Sequence, residues 1–486
     1  MEYFASAPAA LAAGYRPCLR CRPEFEPKVL QDSGDLGPAL ELIEEGALDE
    51  DGSVTSLAAS VGIGERRLRR MFQRELGTSP VRLAQTRRLL LARQLLGNSG
   101  TPIIDVAYAS GFSSLRRFNE AFRNAFGSTP SEFRDSAVDP SAQPAGGVER
   151  EHRDTLVLRL GVLTPYDAPF LMNYLRARAI EGVERVVPAR TCGAEEGPDM
   201  LEDCDDWIYE RTFAERDVEG RMQVAFEPAL HSPRAVVQGG TGAGATLRVG
   251  LSFTERSERL PNLMELVGRV RRLFATQDDP SMLGVFAEDR VLARLAARFP
   301  GTRFAGCFDP FEVGVRVILG QQVTVAGAST LTGRVVRRWG RPLREKGHAA
   351  TNPAETGLPD RLFPEPEVLL DAELEGIGLP GKRAQTVREF ARLFVREPGL
   401  FDSGQDPIRV RRSLLDLPGV GDWTATLIAM RAMRWRDGFP AGDLVLRKNY
   451  AVAAGTAVPS ERELREVAQP WSPVRTLAAA LLWRAA

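Results

Sequence analysis

Cysteine and histidine are scarce in this sequence. Five cysteines, Cys18, Cys21, Cys192, Cys204 and Cys307, are scattered over 486 residues. They are too few for a disulfide framework, which agrees with a reducing compartment. The three histidines, His152, His231 and His348, form no HxxxH or HExxH pair, which argues against a histidine-based metal hydrolase. No stretch approaches the roughly 18 uninterrupted apolar residues of a membrane span. The opening MEYFASAP has no basic segment ahead of an apolar one, so neither a span nor a secretory signal is expected and the expected location is cytoplasmic. Neither sign of charge is in excess: Lys plus Arg total 63 against 64 for Asp plus Glu. Any surface for nucleic acid must therefore be local. What remains is an ordinary soluble composition, 43% hydrophobic and 26% charged, in a length that suits about three domains.

The run SAVDPSAQPAGGVEREH, Ser136 to His152, is rich in Pro, Gly and Ala, lacks hydrophobic periodicity and reads as a linker. Upstream of it, LRRMFQRELGTSP (Leu68 to Pro80) returns as FNEAFRNAFGSTP (Phe118 to Pro130) at an offset of 50. The repeat aligns Leu68 with Phe118, Phe72 with Phe122, Gly77 with Gly127 and Pro80 with Pro130. Each copy follows a short apolar helix and a glycine turn, LAASVGI and VAYASGF. A helix, a tight Gly turn, then a helix with apolar residues at i and i+4 is the helix-turn-helix pattern. Between Gly62 and Arg134 stand 13 Arg and no Lys against five acids, a local charge of +8. Arg66, Arg67, Arg69 and Arg70 crowd the first candidate recognition helix, and Arg116, Arg117 and Arg123 the second. Arginine forks onto guanine edges or binds phosphate, although one such cluster alone also fits a solvated helix face.

Residues 37–135 resemble the AraC-type DNA-binding domain, most specifically in GFSSLRRFNEAFRNAFGSTPSEFR, with Gln85 to Leu96 as the central helix joining the two units. The resemblance implies insertion of two recognition helices into successive major-groove segments. Arg66, Arg67, Arg70, Arg116 and Arg117 become the candidate DNA contacts, with promoter DNA as the partner. Residues 1–30 resemble the end of the Ada-type methylphosphotriester-repair module, in AAGYRPCLRCRPE (Ala12 to Glu24). That family holds zinc with four thiolates, one of them the methyl acceptor. Cys18 and Cys21 supply the last pair, so the metal site is incomplete and methyl transfer is not expected. Cys192 and Cys204, 12 residues apart, read as incidental thiols.

From Leu156 to Thr254 the pattern is LVLRLGVL, a helix in APFLMNYLRARAIEG, then WIYERTF, RMQVAFEP, RAVVQGG and ATLRVGLSF. This reads as an α+β unit with an antiparallel sheet. The glycine run GGTGAGA, Gly239 to Ala245, lacks GK[ST] and leads into a strand, so a loop between strands is expected rather than a phosphate cradle.

Beyond about Pro280 the chain is helix-rich. LDLPGVGDWTAT, Leu415 to Thr426, predicts a hairpin too tight for side chains at both glycines, feeding a helix from about Asp422. Backbone N–H groups at such a turn can hold a DNA phosphate, and the same string also suits a turn between core helices. Twenty residues after Trp423, DGFPAGDLVLRK puts Asp443 at the start of another helix, where an acid by itself reads as an N-cap.

Together these strings resemble the helix-hairpin-helix DNA glycosylase superfamily. The segments Phe311 to Ala328, Gly376 to Val387 and Trp471 to Trp483 extend the likeness to its AlkA branch, the 3-methyladenine DNA glycosylases II, over residues 154–486. The expected organisation is therefore multidomain and mainly α. It runs from a module remnant (1–30) through a double helix-turn-helix (37–135), a linker (136–153) and an α+β domain (154–270) to an all-α glycosylase domain (271–486).

The resemblance implies excision of alkylated purines of the 3-methyladenine and 7-methylguanine type from double-stranded DNA, with Asp443 as the catalytic carboxylate. Trp423 and Trp483 become pocket aromatics, and Leu417, Pro418, Gly419, Val420 and Gly421 the hairpin that meets DNA. Gln322 falls at the wedge that fills the gap left by a flipped base, although the family presents an apolar residue there, and Gln321 reads as structural. Leu427 replaces a pocket tyrosine, which puts the lesion range in question. Asp422 stands where bifunctional relatives keep a Schiff-base lysine, so a monofunctional enzyme is expected. No cofactor is required for catalysis. The carbonyls of Leu415, Leu417 and Val420 are candidate ligands for a monovalent cation, and a monomer is expected. The alternative is a transcriptional regulator whose glycosylase-like domain binds DNA but is catalytically inactive.

Overall fold

The computed structural model describes residues 9–10, 15, 36–44, 46–48, 52–98, 101–137, 155–189, 207–215, 218–227, 245–254, 260–344, 357–402 and 404–485. Cys18, Cys21, Cys192, Cys204, the strand expected at RAVVQGG, and residues 138–154 of the linker lie outside the described residues. So does the glycine run that follows RAVVQGG, up to residue 244.

The first body is helical: α1 (Gly37–Glu44), α2 (Val54–Ser60), α3 (Glu65–Leu76), α4 (Pro80–Asn98), α5 (Ile103–Ala109), α6 (Leu115–Phe126) and α7 (Pro130–Ala137). The internal repeat is visible in the backbone. α2 and α5 each span seven residues, and Gly62 (φ +70°) and Gly111 (φ +79°) turn the chain after them. α3 and α6 each span 12 residues and end on left-handed Gly77 and Gly127. Only glycine adopts that conformation without a Cβ penalty, so it ends the helix. The i and i+4 apolar pairs, Leu68 with Phe72 and Phe118 with Phe122, are fully buried. α4 joins the halves: Leu83 and Ala84 enter the core of the first, while Leu95 and Leu96 enter that of the second.

The second body is a five-stranded antiparallel sheet of β1 (Thr155–Val162), β2 (Glu184–Pro188), β3 (Trp207–Glu215), β4 (Val218–Glu227) and β5 (Ala245–Phe253), in the order β1-β5-β4-β3-β2. The period-2 pattern works as expected in β1, where Leu156, Leu158, Leu160 and Val162 point inward. The short edge strand β2 was not anticipated from the sequence. The helix expected over APFLMNYLRARAIEG is shorter than its apolar run: α8 (Ala168–Arg176) is capped by Asp167 and stops before the chain turns into β2. α9 (Leu263–Phe274) leads out of the sheet.

The helical remainder comprises α10 (Leu292–Arg298), α11 (Pro310–Leu319), α12 (Val325–Trp339), α13 (Pro366–Leu369), α14 (Gly381–Arg396), α15 (Pro407–Leu415), α16 (Asp422–Ala432), α17 (Leu444–Ala454), α18 (Glu461–Val467) and α19 (Arg475–Arg484). It has two apolar clusters. One gathers Phe311, Ile318, Phe390, Leu414 and Ile428, and the other Leu292, Met430, Leu446, Trp471 and Leu482. α16 contributes to both and is buried nearly all round, the signature of a central helix.

Polar joints connect the bodies. Gln94 of α4 donates from Nε2 to the Arg159 carbonyl at 3.1 Å and accepts the Arg159 N–H at 3.0 Å, pairing one residue on the outer side of edge strand β1 as a neighbouring strand would. Glu44, at the end of α1, is ion-paired to Arg87 of α4 and Arg271 of α9. Between sheet and helices, Arg211 of β3 meets Glu312 of α11 at 2.8 Å, and Arg316 reaches Glu184 at 2.8 Å. Burial by itself would raise the Glu312 carboxyl, but the Arg211 and Arg316 guanidiniums hold it below the usual carboxylate range.

Glu44 is 7% exposed and is the counter-charge for the buried Arg87 and the half-buried Arg271. Glu44→Gln should therefore cost about 3 kcal/mol, read as a lower urea midpoint by circular dichroism.

Candidate functional site

The hairpin lies between α15 and α16. Gly419 has φ +82°, and a Cβ there would collide with Thr386 Oγ1, because that hydroxyl donates to the Pro418 carbonyl at 2.8 Å. Gln321 fastens the turn from the other side, donating from Nε2 to the Gly419 carbonyl at 3.0 Å and to Thr424 Oγ1 at 2.9 Å, a structural role as expected. Gly421 corrects the sequence reading. It sits at φ −92° with open space around an added Cβ, so the turn itself does not demand glycine there. Its bare backbone N–H at the start of α16 is instead open to an approaching group. Among the carbonyls named for a cation, that of Leu417 already accepts the Val420 N–H at 3.2 Å. Asp422, next to the hairpin, is held by Arg411 and by Arg465 at 3.0 Å. Burial alone would raise its carboxyl, but the two guanidiniums hold it below the usual range.

Asp443 is the N-cap of α17 and also lines a cavity. Its Oδ1 accepts the Leu446 N–H at 2.9 Å, which starts α17, and its Oδ2 accepts the indole N–H of Trp423 at 2.8 Å. Trp483 Nε1 stands 3.4 Å from Oδ1. The N-cap role leaves Oδ2 to the Trp423 indole, so the cap does not use up the carboxylate. It opens onto a cavity of about 670 Å³, whose wall includes Trp423, Trp483, Leu427, Phe304 and Tyr174. The Trp483 ring stacks on Phe304 at 6.1 Å between centroids.

Gln322 is exposed and left-handed at φ +57°, an uncommon state for a residue other than glycine. It lies between Gly320 and Val323, both of which line the cavity.

The sequence reading missed Tyr174, which α8 brings from the sheet body, and Arg431 on α16. Arg431 had a readable signal: Trp423, Leu427 and Arg431 follow an i, i+4, i+8 spacing, which puts all three on one helix face, and all three line the cavity.

On the helix-turn-helix body, Arg66, Arg67 and Arg70 of α3 and Arg116 and Arg117 of α6 are exposed, whereas Arg69 is engaged by Glu65 at 2.8 Å. Cys307 is buried, and burial pushes its thiol up to about 12, which makes it inert at neutral pH. Cys18 and Cys21 provide half of the four ligands that a closed zinc site requires. Among the described residues, which do not include Cys18 and Cys21, no group of three or more His, Cys, Asp or Glu could hold a metal. No helix of the described residues is long and apolar enough to cross a membrane.

The two hairpin glycines should separate experimentally. Gly419→Ala should lower stability by about 2 kcal/mol, through the collision and the positive φ. Gly421→Ala should change it by less than about 0.5 kcal/mol, both read by urea unfolding.

Comparison with known proteins gives three family matches: a helix-turn-helix domain at residues 57–136, the AlkA N-terminal domain at 157–309, and the metal binding domain of Ada at 1–24. A Mycobacterium tuberculosis protein described as a "probable bifunctional transcriptional activator/DNA repair enzyme AlkA" is 32% identical over 490 aligned positions, covering 99% of this chain and 87% of its own length. The DNA-3-methyladenine glycosylase 2 of Escherichia coli is 28% identical over 66% of this chain and 94% of its own. Among solved structures, a 3-methyladenine DNA glycosylase from Archaeoglobus fulgidus superposes with a TM-score of 0.51 at 18% identity, over 67% of this chain and 97% of its own, a likeness of fold. An AraC-type helix-turn-helix in front of an AlkA-type glycosylase fold, matched by a relative over nearly the whole chain, places this protein in the family of AlkA-type transcriptional activator/DNA repair proteins.

Proposed function

We propose that the chain is a monofunctional DNA glycosylase that hydrolyses the N-glycosidic bond of alkylated purines, joined to a helix-turn-helix regulator that binds promoter DNA in the response to alkylation. It works in the cytoplasm as a monomer. The observation that carries this reading is Asp443, whose carboxylate is fixed by two indole N–H groups and a helix N-terminus at the wall of a cavity with ample room for a purine. The names of the relatives supply the lesion class.

A purine inside a duplex is out of reach, so it must first leave the stack, at a cost of a few kcal/mol. The hairpin Leu417 to Gly421 would seat the backbone phosphate through N–H groups, and Gln322, exposed beside the cavity, would fill the vacated stack. The flipped base would lie against Trp423 and Trp483. Alkylation at N3 or N7 makes the base a good leaving group, so protonating it is unnecessary. The bond to C1′ breaks with its electron pair passing to the base, which leaves neutral; positive charge grows on the sugar, where the Asp443 carboxylate stabilises it, and water adds at C1′, giving up a proton through Asp443 to solvent. Fixing the carboxylate in advance spares reorganisation in the transition state. With Asp422 committed to Arg411 and Arg465, and no lysine in the hairpin segment, no amine is at hand for a Schiff base. The product would be an intact strand with an abasic site.

The test is release of free base from duplex DNA carrying alkylated purines, with strand breaks scored before and after alkali. Asp443→Asn keeps the helix cap but should reduce release by at least about 100-fold without loss of DNA binding. Release by that variant at a rate near wild type, or breaks without alkali, would refute the assignment. On the regulator side, Arg66→Ala and Arg116→Ala should each flatten the salt dependence of DNA binding by about one counterion and leave base release unchanged; an unaltered slope would remove them from the interface.

A further inference from the structure

Two consecutive residues in the last turn of α19 each grip the aspartate that caps another helix. Trp483 stands with Nε1 3.4 Å from Oδ1 of Asp443, the N-cap of α17. Arg484 pairs with Oδ2 of Asp167, the N-cap of α8, whose Oδ1 accepts the Phe170 N–H at 2.9 Å. The Arg484 guanidinium also packs against the rings of Phe170 and Phe299, 4.4 and 4.3 Å from their centres, and its Nη1 donates to Thr302 Oγ1 at 3.3 Å. Just before them, the Leu482 carbonyl accepts from Asn449 Nδ2 of α17 at 2.8 Å. The last carbonyls of a helix have no partner within it, and helix ends open at low cost. Here α17, Asp443 and α8 together hold the turn that carries Trp483.

Arg484 lies outside the cavity wall, yet what it holds is part of that wall. α8 contributes Phe170, Asn173 and Tyr174 to the lining, and the Tyr174 ring centre is 5.1 Å from the Arg431 guanidinium on α16. The approach to α8 is seated on the helical body as well. Arg303 donates from Nη2 to the Leu163 and Pro165 carbonyls, both at 2.9 Å, and the Asp167 N–H reaches the Gly301 carbonyl at 3.1 Å. A Cβ on Gly301 would stand 2.6 Å from the Asp167 nitrogen, so glycine permits this close approach. The distance from Trp483 to Asp443 is at the outer edge of hydrogen bonding, where N–H···O contacts ordinarily run from about 2.7 to 3.2 Å. A contact of that length is sensitive to small shifts in the last turn of α19.

We infer that Arg484 and Asp167 are positioning residues for base excision: the pair fixes Trp483 against Asp443 from outside the cavity, so that the sheet body sets the placement of the carboxylate on which the reaction turns. The inference rests on the glycosylase reading above and deepens it. Neither residue touches the base or the sugar, and their effect passes through the Trp483 indole. It falls on the rate of bond breaking rather than on the hold on DNA, because charge growing on the sugar is stabilised best by a carboxylate already in place.

The experiment measures the single-turnover rate of alkylated-base release from methylated duplex at saturating protein, beside the affinity for a duplex carrying an uncleavable abasic-site analogue. Arg484→Met should lower the rate about tenfold and change the affinity by less than about twofold. Asp167→Asn, which keeps the α8 cap but removes the charge, should lower the rate about fivefold, and it carries the test if Arg484→Met does not fold. Arg484→Lys, whose charge is kept, should recover part of the loss. In a Trp483→Phe background, which lacks the indole N–H, either substitution should lower the rate further by less than about twofold. An unchanged rate in Arg484→Met, or in Asp167→Asn where that variant carries the test, overturns the inference and leaves the glycosylase reading standing. So does an equal loss with and without the Trp483 indole, which would make the pair a general brace. Release of no alkylated base by wild type overturns the glycosylase reading and the inference with it.

Discussion

Three N–H donors converge on one carboxylate, and the rest of the cavity is organised around that convergence. Asp443 has two oxygens. They take the Leu446 amide that starts α17, the Trp423 indole from the first turn of α16, and the approach of Trp483 from α19. Three helices are thereby tied to one group, and each tie is of the charge-assisted kind, stronger than a neutral hydrogen bond. The consequence for chemistry is that the carboxylate cannot swing. α16 in turn is fixed by burial on nearly every side, so the hairpin at its start and Arg431 in its last turn are held at a set separation, with Leu427 midway. An 11-residue helix is about 16 Å long, which makes α16 the ruler along which the cavity is laid out.

Much of this was legible in the sequence, for reasons that can be named. The internal repeat fixed the two helix-turn-helix units because glycine at Gly62, Gly77, Gly111 and Gly127 has a backbone task at each place, a positive φ. Asp443 was legible because its spacing from the hairpin is set by the length of one helix and one loop. Gly421 misled, since the motif holds two glycines and only Gly419 is sterically required. Tyr174 and Asn173 were invisible because they arrive from α8, some 250 residues before the hairpin, and no linear spacing records a contact between a sheet body and a helical one. The short strand β2 lacks the length over which alternation becomes readable.

The regulator and the glycosylase are not beads on a string. The Glu44 cluster and the Gln94 clamp both engage α4, at Arg87 and at Gln94, one ionic and one mimicking a strand. Between sheet and helices, Arg211, Glu312, Arg316 and Glu184 form a buried network. Such networks cost desolvation, and what they provide here is orientation: α8 must face α16 for Tyr174 to reach Arg431.

The Gln94 clamp has a consequence for how the two halves could be separated. β1 is an edge strand, and the side-chain amide of Gln94 occupies the outward N–H and C=O of Arg159 as a neighbouring strand would. A glycosylase half released from its regulator would bare that edge, leaving a template to which a second released half could add strand to strand. A glycosylase half expressed alone would therefore be expected to stay monomeric more readily with a charge, a proline or a bulge placed on β1.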